Sequence, residues 1–173
     1  MVKIDISKMH AYDIILVCGL PSSGKSYLSR NEFNGKRKRI NRKEIRRFIY
    51  EMTNFGEKWS EQLFGSVDEY LVKHTERKMI EQLLSMEEKI LIDNISITVD
   101  SRKIYTTIAE RMNKTIGVIF IDADINRCIM RNRASKDPTP ENVIPNLAAK
   151  KALPEKREGF ASVVILPDSS LED

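Results

Sequence analysis

Eight consecutive residues, Gly19-Leu20-Pro21-Ser22-Ser23-Gly24-Lys25-Ser26, satisfy every fixed position of the pattern GxxxxGK[ST]. Glycines at those places let the backbone turn tightly and approach a ligand, so that amide hydrogens converge on phosphate oxygens. A helix that begins at the end of such a loop adds the positive end of its dipole. Lys25 is then placed to reach β- and γ-phosphates, and the Ser26 hydroxyl to ligate Mg²⁺. The segment through Tyr27 is therefore the candidate binding site for a nucleoside triphosphate, ATP or GTP, with Mg²⁺.

Further candidates lie downstream. Asp93 ends the apolar run Ile90-Leu91-Ile92, a position from which a carboxylate helps hold Mg²⁺, although a strand-ending aspartate is also a common turn residue. Asp122 sits in the same kind of place, but Asp122-Ala123-Asp124 equally suits a helix cap. Arg127, Arg131 and Arg133 precede a polar stretch holding Pro138 and Pro140. Residues 127–141 read as a lid whose arginines close over the triphosphate and stabilise charge on the transferring phosphoryl group. The bland reading of the same arginines is a basic surface helix.

The elements that must position these residues alternate. Residues 13–18 form an apolar strand ahead of the loop, and 26–33 continue as a helix stopped by Asn34-Gly35. Residues 37–40 are a short strand. Asn41 is the N-cap of a helix whose apolar stripe is Ile45, Phe48, Ile49 and Met52. After a loop over 53–59, a single long helix is expected from Ser60 to Glu88, with Leu63, Val67, Tyr70, Leu71, Met79, Leu83 and Met86 on its stripe and His74 as a core or boundary histidine. Residues 89–94 and 115–121 are strands. Between them Thr98 or Asp100 caps a helix with Ile104, Tyr105, Ile108 and Met112 on its buried face. A helix over 124–133, a second over 141–151 broken at Pro145, and a strand over 161–166 complete the chain. Such alternation predicts right-handed crossovers, a three-layer α/β/α fold and a parallel sheet of about five strands, with ligands at the carboxyl ends of those strands.

At 173 residues, with 41% hydrophobic and 31% charged residues, the chain suits one domain over 1–173, and no repeat or low-complexity tract interrupts it. No apolar run has bilayer length, residues 1–12 lack the apolar centre of a signal peptide, and Cys18 and Cys128 lack metal-ligand spacing. These features point to a cytoplasmic protein that keeps off membranes. Net charge is +4, and eight of the twelve residues from Lys36 to Arg47 are Lys or Arg. A run of that density suits an anionic partner beyond the nucleotide, or else a solvated basic face.

Four segments, Gly19–Ser26, Ile40–Arg46, Ile92-Asp93-Asn94 and Arg131-Asn132-Arg133, follow the order found in P-loop kinases of the polynucleotide 5′-kinase type, an adenylate-kinase-like, zeta-toxin-like group that the chain resembles. The tail Pro140-Glu141-Asn142-Val143-Ile144, Pro154 and Glu158-Gly159-Phe160 is also similar, so the resemblance runs from about 13 to 166. It implies transfer of the γ-phosphoryl group of ATP to a hydroxyl, in the best-known members the 5′-OH of DNA or RNA. It gives Lys25 and Ser26 the phosphate and Mg²⁺ roles, Arg46 the acceptor contact and Arg131 the lid role. Two positions depart from the pattern. The aspartate expected three residues before Arg46, the general base, is Lys43, and an ammonium does not take a proton unless its pKa falls far. Glu44 or Asp93 is then the candidate base. A second lid arginine falls on Ser135, where Arg133 or Lys136 could substitute.

Three readings follow: a kinase of a polynucleotide 5′-hydroxyl, a kinase of a small metabolite or nucleotide on the same scaffold, and a catalytically weak nucleotide-binding module. The basic run favours the first. Lys43 favours the third.

Overall fold

The computed structural model describes residues 6–167. Five strands, β1 (Ile14–Gly19), β2 (Lys38–Ile40), β3 (Ile90–Asp93), β4 (Ile116–Asp122) and β5 (Ser162–Pro167), form one sheet in the order β2-β3-β1-β4-β5. Every neighbouring pair is parallel. All of β1 and β3 is buried, as continuous apolar runs require when both faces of a sheet are covered. The helices are α1 (Lys25–Phe33), α2 (Arg42–Thr53), α3 (Glu69–Ser85), α4 (Val99–Arg111), α5 (Ile125–Arg133) and α6 (Val143–Ala148), with short 3₁₀ turns at Ser7–Ala11, Glu61–Ser66 and Lys156–Glu158. β2 and β3 lie on one side of β1 and β4 and β5 on the other, and the crevice beyond the carboxyl ends of these strands is the place for a ligand.

The expected long helix over 60–88 is two elements. Asp68 accepts hydrogen bonds from the amides of Tyr70 and Leu71 and starts α3 afresh, while Glu61–Ser66 stays a 3₁₀ turn. The buried stripe of α3 is Val72, Glu76, Ile80 and Leu84, and Tyr70, Leu71, Met79 and Met86 are exposed. His74 is exposed and stacks on Tyr70, not in the core. In α2, Ile45 and Ile49 are buried as expected, but Arg46 and Tyr50 complete the face and Phe48 and Met52 lie outside. Thr98, not Asp100, caps α4 in a reciprocal box with Ser101, and Arg102 joins Tyr105 and Ile108 on its buried face. Pro145 does not break α6. It lies in the first turn, where an amide hydrogen has no helical partner to lose. The two cysteines are buried and form no disulfide.

Half of the basic run is turned inward. Arg37 donates to the carbonyls of Met9, His10, Tyr12, Asp13 and Ile90 at the amino edge of the sheet. Burial lowers its pKa to about 10. Arg39 binds Asp93 and Glu44, Arg42 binds Glu76, and Arg46 binds Glu69 with its guanidinium 4.3 Å above the Phe64 ring. Half of the run's cations thus hold the fold instead of presenting charge to solvent.

Candidate functional site

β1 ends at Gly19, whose φ of +149° and close approach to β4 exclude a side chain: a Cβ there would lie 2.7 Å from the Ile121 carbonyl oxygen. Gly24, at φ +101°, sits at the N-cap of α1 and offers no side chain to the first-turn amides of that helix. Those amides are left for an outside acceptor. Leu20, Pro21 and Ser23 are buried around the turn and Ser22 adopts φ +60°. Lys25 folds back over the loop, donating to the Leu20 carbonyl at 2.5 Å and to Ser23 Oγ at 3.4 Å. Its ammonium is buried and, among the described residues, makes no ion pair. Burial lowers its pKa, and the attraction of Asp93 pushes back. A buried cation that makes no ion pair is unfavourable by itself and favourable once an anion arrives.

Asp93, fully buried at the end of β3, faces this loop. Its Oδ2 accepts from Ser26 Oγ at 3.0 Å and from Arg39 Nη2 and Nε at 2.7 and 3.0 Å. Its Oδ1 is buried and has no hydrogen-bond partner. A hydroxyl beside a carboxylate with an unused oxygen is the donor set Mg²⁺ needs when phosphates and water supply the remainder. The residues present fit the ion. The described residues contain no cluster of three or more His, Cys, Asp or Glu side chains suited to a protein-only metal site.

The first turn of α2 is bolted to the same strand end. Asn41 donates from Nδ2 to the Asp93 carbonyl and accepts the Glu44 amide on Oδ1, capping the helix, while the Arg42 amide donates to Asn94 Oδ1. Below this junction Glu76 receives Arg42, Asn94 and Tyr105. From there Lys43, Arg47 and Glu51, four residues apart, run outward along one face of α2. They line a cleft of about 700 Å³ that starts at Ser26 and Arg39 and reaches Trp59 and Lys136.

The expected site residues divide accordingly. Lys25, Ser26 and Asp93 come together at the loop. Glu44 lines the cleft, exposed, with Oε1 accepting from Arg39 at 2.8 Å. Lys43 lies between Glu61 and Asp137, at 2.7 and 3.3 Å, and the Glu61 amide also donates to Asp137. Arg46 is buried on Glu69 and is not among the residues lining the cleft. Tyr27 is exposed on α1. Arg127 and Arg131 are half-buried on α5, and Arg133 pairs with Glu141 at the surface. Within residues 127–141, those that reach the cleft are Lys136 and Asp137. Asn132 braces their loop by exchanging two hydrogen bonds with the Thr139 backbone. Asp122 pairs with Lys151, and Asp124 is the cap of α5. Sequence reasoning counts Arg39 only within the basic run and Trp59 only among the aromatics that follow it, and places neither at this site. An arginine alternating with Ile40 toward a strand end, and a lone tryptophan in a polar loop, were the signals available.

Loop, sheet order and the placement of Asp93 define a kinase-like P-loop NTPase. Solved structures agree on the fold. The Kti12 of Chaetomium thermophilum in complex with ADP-AlF3 is 14% identical, with TM-score 0.61, over 91% of this chain and 93% of that one. A gluconokinase from Sinorhizobium meliloti is 13% identical, with TM-score 0.57, over 90% and 82%. The Pnkp1/Rnl/Hen1 RNA repair complex is 18% identical, with TM-score 0.58, over 79% of this chain and 43% of that one. No curated protein sequence matches the chain. Residues 13–161 match the model of the family described as chromatin associated protein KTI12, and the chain belongs to that family. Among the described residues no helix is long and apolar enough to cross a membrane.

Proposed function

We propose that the chain, acting as one unit, binds a nucleoside triphosphate with Mg²⁺ at the loop over residues 19–27 and transfers its γ-phosphoryl group to a hydroxyl seated in the cleft, the 5′-OH of a polynucleotide being the acceptor its cations suit best. The observation that carries this reading is the buried, ion-pair-free Lys25 ammonium beside Ser26 and the half-used Asp93 carboxylate. Ser26 and Asp93 would hold Mg²⁺, which neutralises charge on the β- and γ-oxygens. The acceptor oxygen forms its bond to the γ-phosphorus, the bond to the β–γ bridging oxygen breaks, and the hydroxyl proton leaves to Glu44. Glu44 takes this role because it lines the cleft, whereas Asp93 is enclosed and Lys43 is held by two carboxylates. The half-buried Arg127 and Arg131, with Arg133, belong to the nucleotide side of the lid in this reading.

A second reading, a nucleotide-dependent binding module, is favoured by Lys43 and Asp137, which tie α2 to the lid without contributing a base. Incubation with γ-labelled ATP, Mg²⁺ and either a 5′-hydroxyl oligonucleotide or small polyols separates the readings. Label on the oligonucleotide is expected, abolished by Lys25→Ala and lowered at least a hundredfold by Glu44→Gln. Label on the polyols alone assigns a metabolite kinase, and tight ATP binding without transfer assigns the module.

A further inference from the structure

Glu44, the proton acceptor of the proposed transfer, sits in the first turn of α2 with its side chain 47% exposed. Its own helix does not fix the carboxylate. Asn41 accepts the Glu44 amide, and nothing else on α2 bonds the side chain. Among the described residues the carboxylate has one partner, Arg39, which donates from Nη1 to Oε1 at 2.8 Å. Arg39 reaches it from another element, the middle of β2, and is only 23% exposed. Its remaining two nitrogens, Nε and Nη2, donate to Asp93 Oδ2 at 3.0 and 2.7 Å, where Ser26 Oγ also donates at 3.0 Å. One planar group therefore spans two carboxylates. Each of them keeps one oxygen without a hydrogen bond among the described residues, Oδ1 on Asp93 and Oε2 on Glu44.

The rigidity of the guanidinium gives this arrangement its meaning. Asp93 is fully buried at the end of its own strand, so it does not move to suit a partner. With Nε and Nη2 fixed on Asp93, the direction of Nη1 is fixed as well. The place of Glu44 is thus set from the carboxylate that would hold Mg²⁺. Neutralising Asp93 alone does not call for the third bond, because Nε and Nη2 already face that charge. Proton transfer needs an acceptor oxygen within hydrogen-bond reach, and a misplacement of about 1 Å costs on the order of 100-fold in rate.

We infer that Arg39 is the positioning residue of the transfer: it holds the Glu44 carboxylate in fixed relation to Asp93, so that the oxygen receiving the proton and the oxygen left for Mg²⁺ are aligned by one group. It acts through Glu44 and not by contact with the reacting atoms. The inference rests on the proposed function, and it does not depend on which hydroxyl accepts the phosphoryl group.

The test uses the full chain. Arg39→Met strips the buried Asp93 of its cation and endangers the fold, so the variant of choice is Arg39→Lys. It keeps the charge, but an ammonium is a single point on a flexible stem and does not align two carboxylates. Transfer is followed with γ-labelled ATP, Mg²⁺ and whichever acceptor takes label, a 5′-hydroxyl oligonucleotide or glycerol. Arg39→Lys is expected to lower kcat about tenfold or more, with KM for ATP within twofold of the parent. Mg²⁺–ADP affinity by calorimetry should also stay within twofold, because the loop and Asp93 Oδ1 are untouched. In Glu44→Gln protein the same Arg39→Lys change should alter the residual kcat less than twofold, since no base remains to be aligned. An unchanged kcat in Arg39→Lys, an equal fall in both backgrounds, or a fall in Mg²⁺–ADP affinity that matches the fall in kcat makes Arg39 a partner of Asp93 alone. Each of these overturns the inference and leaves the proposed transfer in place. No label on either acceptor from the parent protein overturns the proposed function itself, and the role of Arg39 with it.

Discussion

Glu76 and Asp93 are both buried beside the end of β3, each against an arginine of the basic run. Around Glu76 every valence is used. One oxygen takes Asn94 and Tyr105, the other both donors of Arg42, and burial together with the Glu76 charge raises the pKa of Tyr105 well above its ordinary range. Around Asp93 three donors crowd one oxygen, the other has none, and the neighbouring Lys25 makes no ion pair among the described residues. Burial, charge and an arginine partner are common to both carboxylates, so none of these marks function. The unequal distribution of hydrogen bonds does. A closed knot holds the floor of the cleft still, and an open one beside it has capacity left for a ligand.

That contrast breaks if the two carboxylates respond alike to removal. Glu76→Ala leaves Arg42, Asn94 and Tyr105 without their shared acceptor and should cost about 3 to 5 kcal/mol, read as a drop in the urea midpoint. Against a usual total of about 5–15 kcal/mol this is a large loss. Any protein that remains folded should keep its nucleotide affinity. Asp93→Asn should do the reverse. Asparagine keeps one acceptor oxygen for Ser26 and Arg39, and Arg39 also holds Glu44, so the midpoint should move by no more than about 1 kcal/mol, while phosphoryl transfer falls roughly 10- to 100-fold and is partly restored by excess Mg²⁺. A large stability loss in Asp93→Asn with transfer unchanged would make Asp93 a second structural knot.

The open half of this contrast was legible in the sequence, and the closed half was not. The loop is written in eight adjacent residues whose types are dictated by backbone approach and phosphate charge, and Asp93 announces itself by ending an apolar run. Sheet and crossovers follow from the same alternation. Glu76 was hidden because a carboxylate in the middle of a helix is read as its wet face, which rotated the expected stripe of α3 onto Tyr70, Leu71 and Met79. The basic run was ambiguous for a related reason. Arg37, Arg39, Arg42 and Arg46 find their partners on distant elements, and a linear run does not record which side chains turn inward. The cleft cations, by contrast, come from three separate segments, and only folding assembles Arg47, Lys58 and Lys136.

α3 carries a third carboxylate that sharpens the contrast from the other side. Glu81 lies five residues beyond Glu76, on the outer face, and is held by Arg77, Lys78 and Arg111. Its hydrogen bond from Arg77, then that from Arg111, lower its pKa from the ordinary 4.5 to about 2. A depressed carboxylate pKa means that the folded state holds the ionised form more tightly than the unfolded chain does. The stabilisation is thus fully present above about pH 4.5 and is lost as the pH falls through 2. Surface pairs are screened by water and salt, so Glu81→Gln should cost no more than about 1 kcal/mol at neutral pH. The gap between parent and variant should narrow between pH 4.5 and 2 and shrink in high salt. Thermal melts across that range check it, and the mirror result is equally informative. A Glu81→Gln loss as large as that of Glu76→Ala would show that cations around a carboxylate, not the enclosure of its hydrogen bonds, set its worth to this fold.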